Sequence, residues 1–357
     1  MMKMKKENLL LGLMVALVLV SVASSIYSVS GLRDLQNKYT ALERKLSVMG
    51  ESYYPLLVKD ALGRVVMVSS EPMRIVSGAP SITEILFAIG AGEKIVGVDE
   101  YSDYPEELLT LKENGKIATV GGVTTLNPEK VAALRPDLVL VDASLQSKFV
   151  PTLEELGLTV IAVESKSVED ILKNIQLISK VTSKLEEGRK VIGNVRSAMQ
   201  EVYQRVSSLP PTRVLYLCWP EPMWAVGKDT YADDLIRTAG GEGVFSNRSG
   251  WFVVNPEEVV SANPNVIVMS SMALRKSPEE LFSYLKSLPG FEQLDAIKDN
   301  RVYILTGQAA NLLERAGPRV ADAVFLLACI FHPEVFHVSL PNFINEYTGY
   351  VKEARCG

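Results

Sequence analysis

A chain does chemistry through an activated nucleophile, an acid–base pair, a metal cage or a shaped binding surface. Counting removes several of these. The 357 residues contain two histidines, His332 and His337, both in the segment IFHPEVFH. A tri-histidine metal site is excluded, and the pair reads as structural or surface residues. Three cysteines, Cys218, Cys329 and Cys356, are too few and too scattered for a disulfide framework or a cysteine-rich zinc site, though one bridge could form. Gly227-Lys228 lacks the earlier glycine of a phosphate-binding loop. Gly90-Ala91-Gly92 follows an amphipathic stretch instead of opening one, so it reads as a helix stop. No Gly-x-Ser-x-Gly elbow occurs. No catalytic residue, no metal site and no resident cofactor is expected.

A binding surface is the better prospect. All three tryptophans fall in the second half, at strand ends or in loops: Trp219 and Trp224 in CWPEPMW, and Trp251 in SGW. Tyr101 and Tyr104 follow a strand of the first half, in EYSDYP. Ligands of parallel α/β sheets bind beyond the carboxyl ends of the strands. Such aromatics could line a cleft for a large, partly apolar ligand, or could plug the loop side of the core. The turn GAPS at 78–81 leads into a helix near Thr83, and its amides could face the same cleft.

A second feature is an internal repeat. Residues 126–141 read LNPEKVAALRPDLVLV and residues 254–269 read VNPEEVVSANPNVIVM. Asn127 and Asn255 suit the helix N-cap, and Pro128 and Pro256 the first helical position, where no amide donor is needed. Glu129 and Glu257 then fall in the first turn, beside the positive helix end. Capping alone explains either glutamate. Two copies at matching places suggest a pseudo-symmetric pair of acidic knobs.

The elements that must carry these residues follow from the hydrophobic pattern. Short apolar runs at 74–78, 94–98, 137–141, 159–163, 213–217, 265–269 and 301–305 alternate with helical stretches, which predicts parallel sheets covered by helices. Residues 56–70 have the alternation of a preceding hairpin. Residues 168–208 hold no proline before the stop at Pro210-Pro211, and apolar residues recur at helical spacing from Ile171 to Val202. A continuous helix there would be a rod of ~60 Å. It would bridge an N-terminal α/β lobe, 51–167, and a C-terminal α/β lobe, 209–357. Two packed helices within one domain are the alternative.

Hydrophobic residues make up 47% and charged residues 22%, which excludes a wholly disordered chain. With a net charge of −5, nothing in the composition suggests a protein that wraps nucleic acid, which would need a basic surface. Residues 8–30 are uncharged, long enough to span a bilayer, and preceded by Lys3, Lys5 and Lys6. Residues 1–30 are therefore expected to be a cytoplasmic tip and membrane anchor, or a cleaved signal peptide. Either places the rest outside the cytoplasm. No cysteine near this segment can carry a lipid. Leu32, Leu35, Tyr39, Leu42, Leu46 and Met49 form a heptad stripe, read as a helical stalk over 31–50.

Four segments carry a resemblance: RIVSGAPSITEILFAIGAGEKIVGVDEYSDYPEE, VGGVTTLNPEKVAALRPDLVLV, GKDTYADDLIRTAGGEGVF and RVYILTGQAANLLERAGPRVADAV. Over about 60–345 the chain resembles the helical-backbone substrate-binding proteins of ATP-driven importers, which bind cobalamin, ferric siderophores or haem. EYSDYP and ERAGPR bring it nearest the cobalamin binders, although Val123 departs from the aromatic residue expected there. The resemblance implies two three-layer α/β lobes joined by a long rigid helix, with limited hinge motion and the ligand between the lobes. It implies ligand contacts at Pro80, Ser81, Tyr101, Trp219, Trp251 and Asn311. It implies that Glu129 and Glu257 dock onto arginines of a membrane permease, which works with its ATPase subunits. The expected ligand is a cobalt corrinoid or an iron chelate. A surface enzyme on this fold, such as a chelatase, would need a titratable group in the cleft, and Glu221, Asp229 and Arg315 are the nearby candidates. An anchored sensor is a third reading.

Overall fold

The computed structural model describes residues 54–270 and 276–356. The expected anchor at 1–30 and stalk at 31–50 lie outside them. Among the described residues no helix is long and apolar enough to cross a membrane.

The first half opens on the expected hairpin, β1 (Leu56–Lys59) paired antiparallel with β2 (Val65–Val68). Five parallel strands follow: β3 (Ile75–Ser77), β4 (Ile95–Val98), β5 (Ala118–Thr119), β8 (Leu138–Asp142) and β9 (Val160–Val163), in the order β5-β4-β3-β8-β9. A small hairpin, β6 (Gly121–Gly122) and β7 (Thr125–Leu126), follows β5. The second sheet is mixed. Parallel strands β10 (Thr212–Pro220), β12 (Gly241–Gly243), β14 (Val266–Ser270), β15 (Val302–Leu305) and β16 (Phe343–Ile344) carry an antiparallel extension. That extension is β11 (Met223–Val226) against β10, then β13 (Trp251–Val253) against β11. Each of the seven apolar runs is a strand.

Alternation along these strands divides the core. In the first sheet Val76, Val139, Val141, Val160 and Ala162 pack into one cluster on one face. Their neighbours Ile75, Leu138, Leu140, Ile161 and Val163 enter a second. In the second sheet Leu215, Leu217, Ile267, Met269 and Ile304 take an outer cluster. Val214, Tyr216, Val266, Val268 and Leu305 join the same inner cluster as the first sheet. Both sheets are buried on two faces, which is why their strands read as continuous apolar runs.

Helices fill the space between. The helices that matter here are α1 (Pro80–Ala88), α2 (Glu106–Glu113), α3 (Pro128–Ala133), α4 (Ala143–Gln146), α5 (Val150–Glu155), α6 (Val168–Val181) and α7 (Leu185–Val206). In the second half come α8 (Tyr231–Thr238), α9 (Pro256–Ala262), α10 (Pro278–Ser287), α11 (Asp295–Lys298), α12 (Gly307–Glu314) and α13 (Val320–Phe331). The last is almost wholly buried.

A continuous rod over 168–208 is corrected. The segment is two helices, α6 and α7, packed against each other. The break falls at Thr182–Lys184, where Ser183 takes a left-handed backbone, φ 59°. Thr182 Oγ1 donates to the Ile178 carbonyl at 2.7 Å, and the Lys184 amide donates to Ser179 O at 2.8 Å, so side chain and backbone close the end of α6. By propensity alone Gly188 only weakens a helix. It lets α7 approach α6: a Cβ there would lie 2.6 Å from the Ser179 Cβ. Ile171, Ile175, Ile178, Val181, Val195 and Val202 still form the apolar stripe, and they enter the core shared by both sheets. Only α7, ~33 Å at 1.5 Å per residue, leads across to the second sheet.

Candidate functional site

The loops beyond the carboxyl ends of the two parallel sheets meet. Pro80 and Ser81 open α1 after β3, and both are half-buried. Pro at the first helical position removes no needed donor. Tyr101 follows β4 and is 55% exposed. From the second half, α12 brings buried Asn311, whose amide donates to Asp103 Oδ2 at 3.4 Å. The chain then passes so close that a Cβ on Gly317 would be 3.5 Å from the Ser81 carbonyl oxygen. Four of the six expected contact residues thus lie along one seam: Pro80, Ser81, Tyr101 and Asn311.

Trp219 and Trp251 sit on the antiparallel extension. Direct register partners in antiparallel strands share a face. Trp219 pairs with Trp224, Trp224 with Val253, and Trp251 with Val226. Trp219, Trp224, Trp251 and Val253 are 37%, 37%, 44% and 46% exposed, so one face of this sheet is an open aromatic platform. The alternate residues Leu217, Ala225 and Phe252 pack into the outer core. Trp251 is held edge-on against buried Tyr216, ring centres 6.2 Å apart. The Trp219 indole N–H donates to Glu221 O at 3.0 Å, across the turn into β11.

The floor of the seam is ionic. Glu84, the single charge on α1, is 2% exposed. Arg319 Nε donates to its Oε2 at 2.9 Å and Arg319 Nη2 to its Oε1 at 2.6 Å. Arg315 Nη1 reaches Glu84 Oε1 at 3.4 Å and also pairs with Asp103, while its Nη2 donates to Tyr101 O at 3.2 Å. The Arg319 guanidinium lies over the Tyr104 ring, 4.1 Å from its centre. Burial works against the Arg319 charge, but the two hydrogen bonds it donates to Glu84 prevail and push its pKa up. The Nε of Arg315 is buried without a partner.

Beneath Tyr101 runs a chain of buried hydroxyls. Thr83 Oγ1 donates to Ser77 Oγ at 2.8 Å and lies 2.9 Å from Ser102 Oγ. Ser102 donates to Asp99, which also accepts the Tyr101 amide at 2.8 Å. Burial pushes the Asp99 carboxyl up to about 6, against these hydrogen bonds and nearby Arg315. Gln146, fully buried, ties three cleft loops together. Its Nε2 donates to Gly78 O at 2.7 Å and to Val123 O at 3.0 Å, and its Oε1 accepts the Asp142 amide at 2.9 Å. Glu84, Asp103, Arg319 and Gln146 escaped the sequence reading. The available signals were a lone carboxylate in the apolar helix ITEILFAI and two arginines four apart in ERAGPR.

The repeated knobs fold as expected. Asn127 Oδ1 accepts the Lys130 amide and Asn255 Oδ1 the Glu258 amide, each at 2.8 Å. Glu129 and Glu257 stand exposed in the first turns of α3 and α9. Around α9 the cap is reciprocal: Glu258 returns to the Asn255 amide at 2.9 Å and holds Arg248 at 3.1 Å. Glu257 therefore stays free of the cap, beside a pocket of about 460 Å³ that Asn247 and Phe245 also line.

The groups needed by an enzyme reading are not assembled. Glu221 pairs with Lys276 at 3.6 Å, Asp229 accepts from Ser249 Oγ at 2.8 Å, and Arg315 is committed to carboxylates. Buried His332 lies with Nε2 2.9 Å from Gly240 O. Among the described residues no three metal-ligating side chains cluster.

Two α/β halves, meeting at the carboxyl ends of their strands and carrying exposed aromatics there, define a two-lobed solute-binding protein. Comparison with known proteins agrees. Residues 75–309 match the periplasmic binding protein family, and the chain belongs to that family. It is 28% identical over 291 residues to an uncharacterized ABC transporter substrate-binding lipoprotein of Bacillus subtilis, covering 79% of this chain and 87% of that one. It is 29% identical over 253 residues to a vitamin B12-binding protein of Vibrio cholerae, covering 70% and 86%. The periplasmic heme-binding protein RhuT of Roseiflexus superposes with a TM-score of 0.64 at 25% identity, covering 75% of this chain and 100% of that one. All three are binding proteins.

Proposed function

We propose that this chain is the extracytoplasmic substrate-binding component of an ABC importer, and that it captures a corrinoid between its lobes. The observation that carries the reading is the aromatic platform of Trp219, Trp224 and Trp251, with Tyr101 exposed on the opposite lobe. Large apolar rings held on a sheet suit a ligand with a broad, partly apolar face. Burial of that surface supplies the gain, at ~25 cal/mol per Å² before ordering and association costs. Pro80, Ser81, Tyr101 and Asn311 set orientation from the seam. A ferric siderophore or haem is the second reading, favoured by the likeness to the heme-binding RhuT.

Glu129 and Glu257 serve as the docking knobs. Both are exposed and spared by their caps, so each can meet an arginine of the permease. The test is a pull-down of the permease with Glu129→Ala and Glu257→Ala combined. Each change is expected to cost about 2 kcal/mol of docking free energy, and parent docking is expected to weaken as salt rises. Ligand binding should survive the double change. Docking that is unaltered by it removes the assigned role. An N-terminal helix over 8–30 would hold the receptor at the membrane.

A further inference from the structure

We propose that Glu84 is a positioning residue: with Arg315, Arg319 and Asp103 it forms a charge latch that fixes the width of the cleft before any ligand arrives. Both carboxylates come from the first half and both guanidiniums from the second. The contacts join residues more than 200 positions apart in the chain. They therefore tie the two halves directly at the cleft, in addition to the α7 crossover. Two positive and two negative groups balance among themselves, and the Glu84–Arg319 pair is bidentate. Glu84, Arg315 and Arg319 are 2%, 6% and 8% exposed. Removing one member of such a buried set leaves an uncompensated charge that water must reach. The lobes have to part at this seam to admit it. Closing the latch also orders the ligand side. Arg315 Nη2 holds the Tyr101 carbonyl, and Asp103 takes the amide of Asn311. The inference rests on the seam being the ligand cleft, but its test needs no ligand.

Spin labels are placed on the full-length, ligand-free chain at exposed Lys116→Cys and Lys286→Cys, with Cys218→Ser and Cys356→Ser as background. Pulsed dipolar spectroscopy then reads the distance between lobes. The parent should give one narrow distribution. Glu84→Gln and Arg319→Gln should each broaden it toward longer distances. Their combination, which restores neutrality, should narrow it again. Unchanged distributions in both single variants would overturn the latch, even with lowered melting temperatures, since a merely structural role moves stability alone. Should neither single variant fold, Asp103→Asn gives the same readout from a carboxylate that is 38% exposed. An unaltered distribution in that variant is equally fatal. Failure of the corrinoid reading would leave all these distances as they are.

Discussion

Asp99 shows how much a single cleft residue is governed by burial. Its carboxyl titrates near 6 in the folded chain because it is cut off from water. In the unfolded chain it titrates about two units lower. Between these values the folded state holds the extra proton, so this residue's contribution to stability falls as pH rises from about 4 to 6. Asp99→Asn removes that dependence while keeping an acceptor for the Tyr101 amide. Urea unfolding across this pH range should show the parent losing up to about 3 kcal/mol relative to the variant. A constant difference would place the Asp99 pKa at its ordinary value. The sequence carries no sign of this, since Asp99 stands at the end of an apolar strand, in VGVDE, with no local pattern that marks its carboxyl as buried. The same blindness hid the latch, whose partners are 231 and 235 positions apart. Residues bound by local rules were visible. Asn127 and Asn255 cap their helices because a short polar side chain before proline has few other uses.

At the scale of elements, legibility followed the strength of the local pattern. The seven central strands were readable because two-sided burial demands unbroken apolar runs. The strands β11 and β13 were not, because four and three residues give no measurable period. The tryptophans they carry, Trp224 and Trp251, were consequently placed at strand ends or in loops. Two packed helices were an open alternative to the rod, but the α6–α7 break could not be placed, because Thr182-Ser183-Lys184 contains neither proline nor glycine and the apolar spacing continues in phase across it. Gly188 measures the packing that replaced the rod. By propensity alone Gly188→Ala should stabilise an exposed helix by about 1 kcal/mol. Here the added methyl meets Ser179, and we expect a net loss of about 1–3 kcal/mol. Thermal denaturation decides it: a raised melting temperature would contradict the close α6–α7 crossing.

Across the whole molecule the two halves share one core. Strands of both sheets, α6, α7 and α13 contribute to a single inner cluster. A chain built this way resists wide opening, and the latch adds a polar tie at the mouth. Limited opening would suit the proposed receptor, since a cleft already shaped for its ligand leaves little ordering to oppose binding. The identity of that ligand is the deciding property. Purified chain should be titrated calorimetrically with cobalamin, cobinamide, haemin and ferric siderophores. Saturable one-to-one binding of a corrinoid is predicted, weakened roughly thirtyfold by Trp251→Ala, as removal of a buried aromatic anchor worth about 2 kcal/mol requires. Binding of a ferric chelate or haemin alone would contradict the corrinoid assignment, and no heat with any of them would contradict the receptor itself.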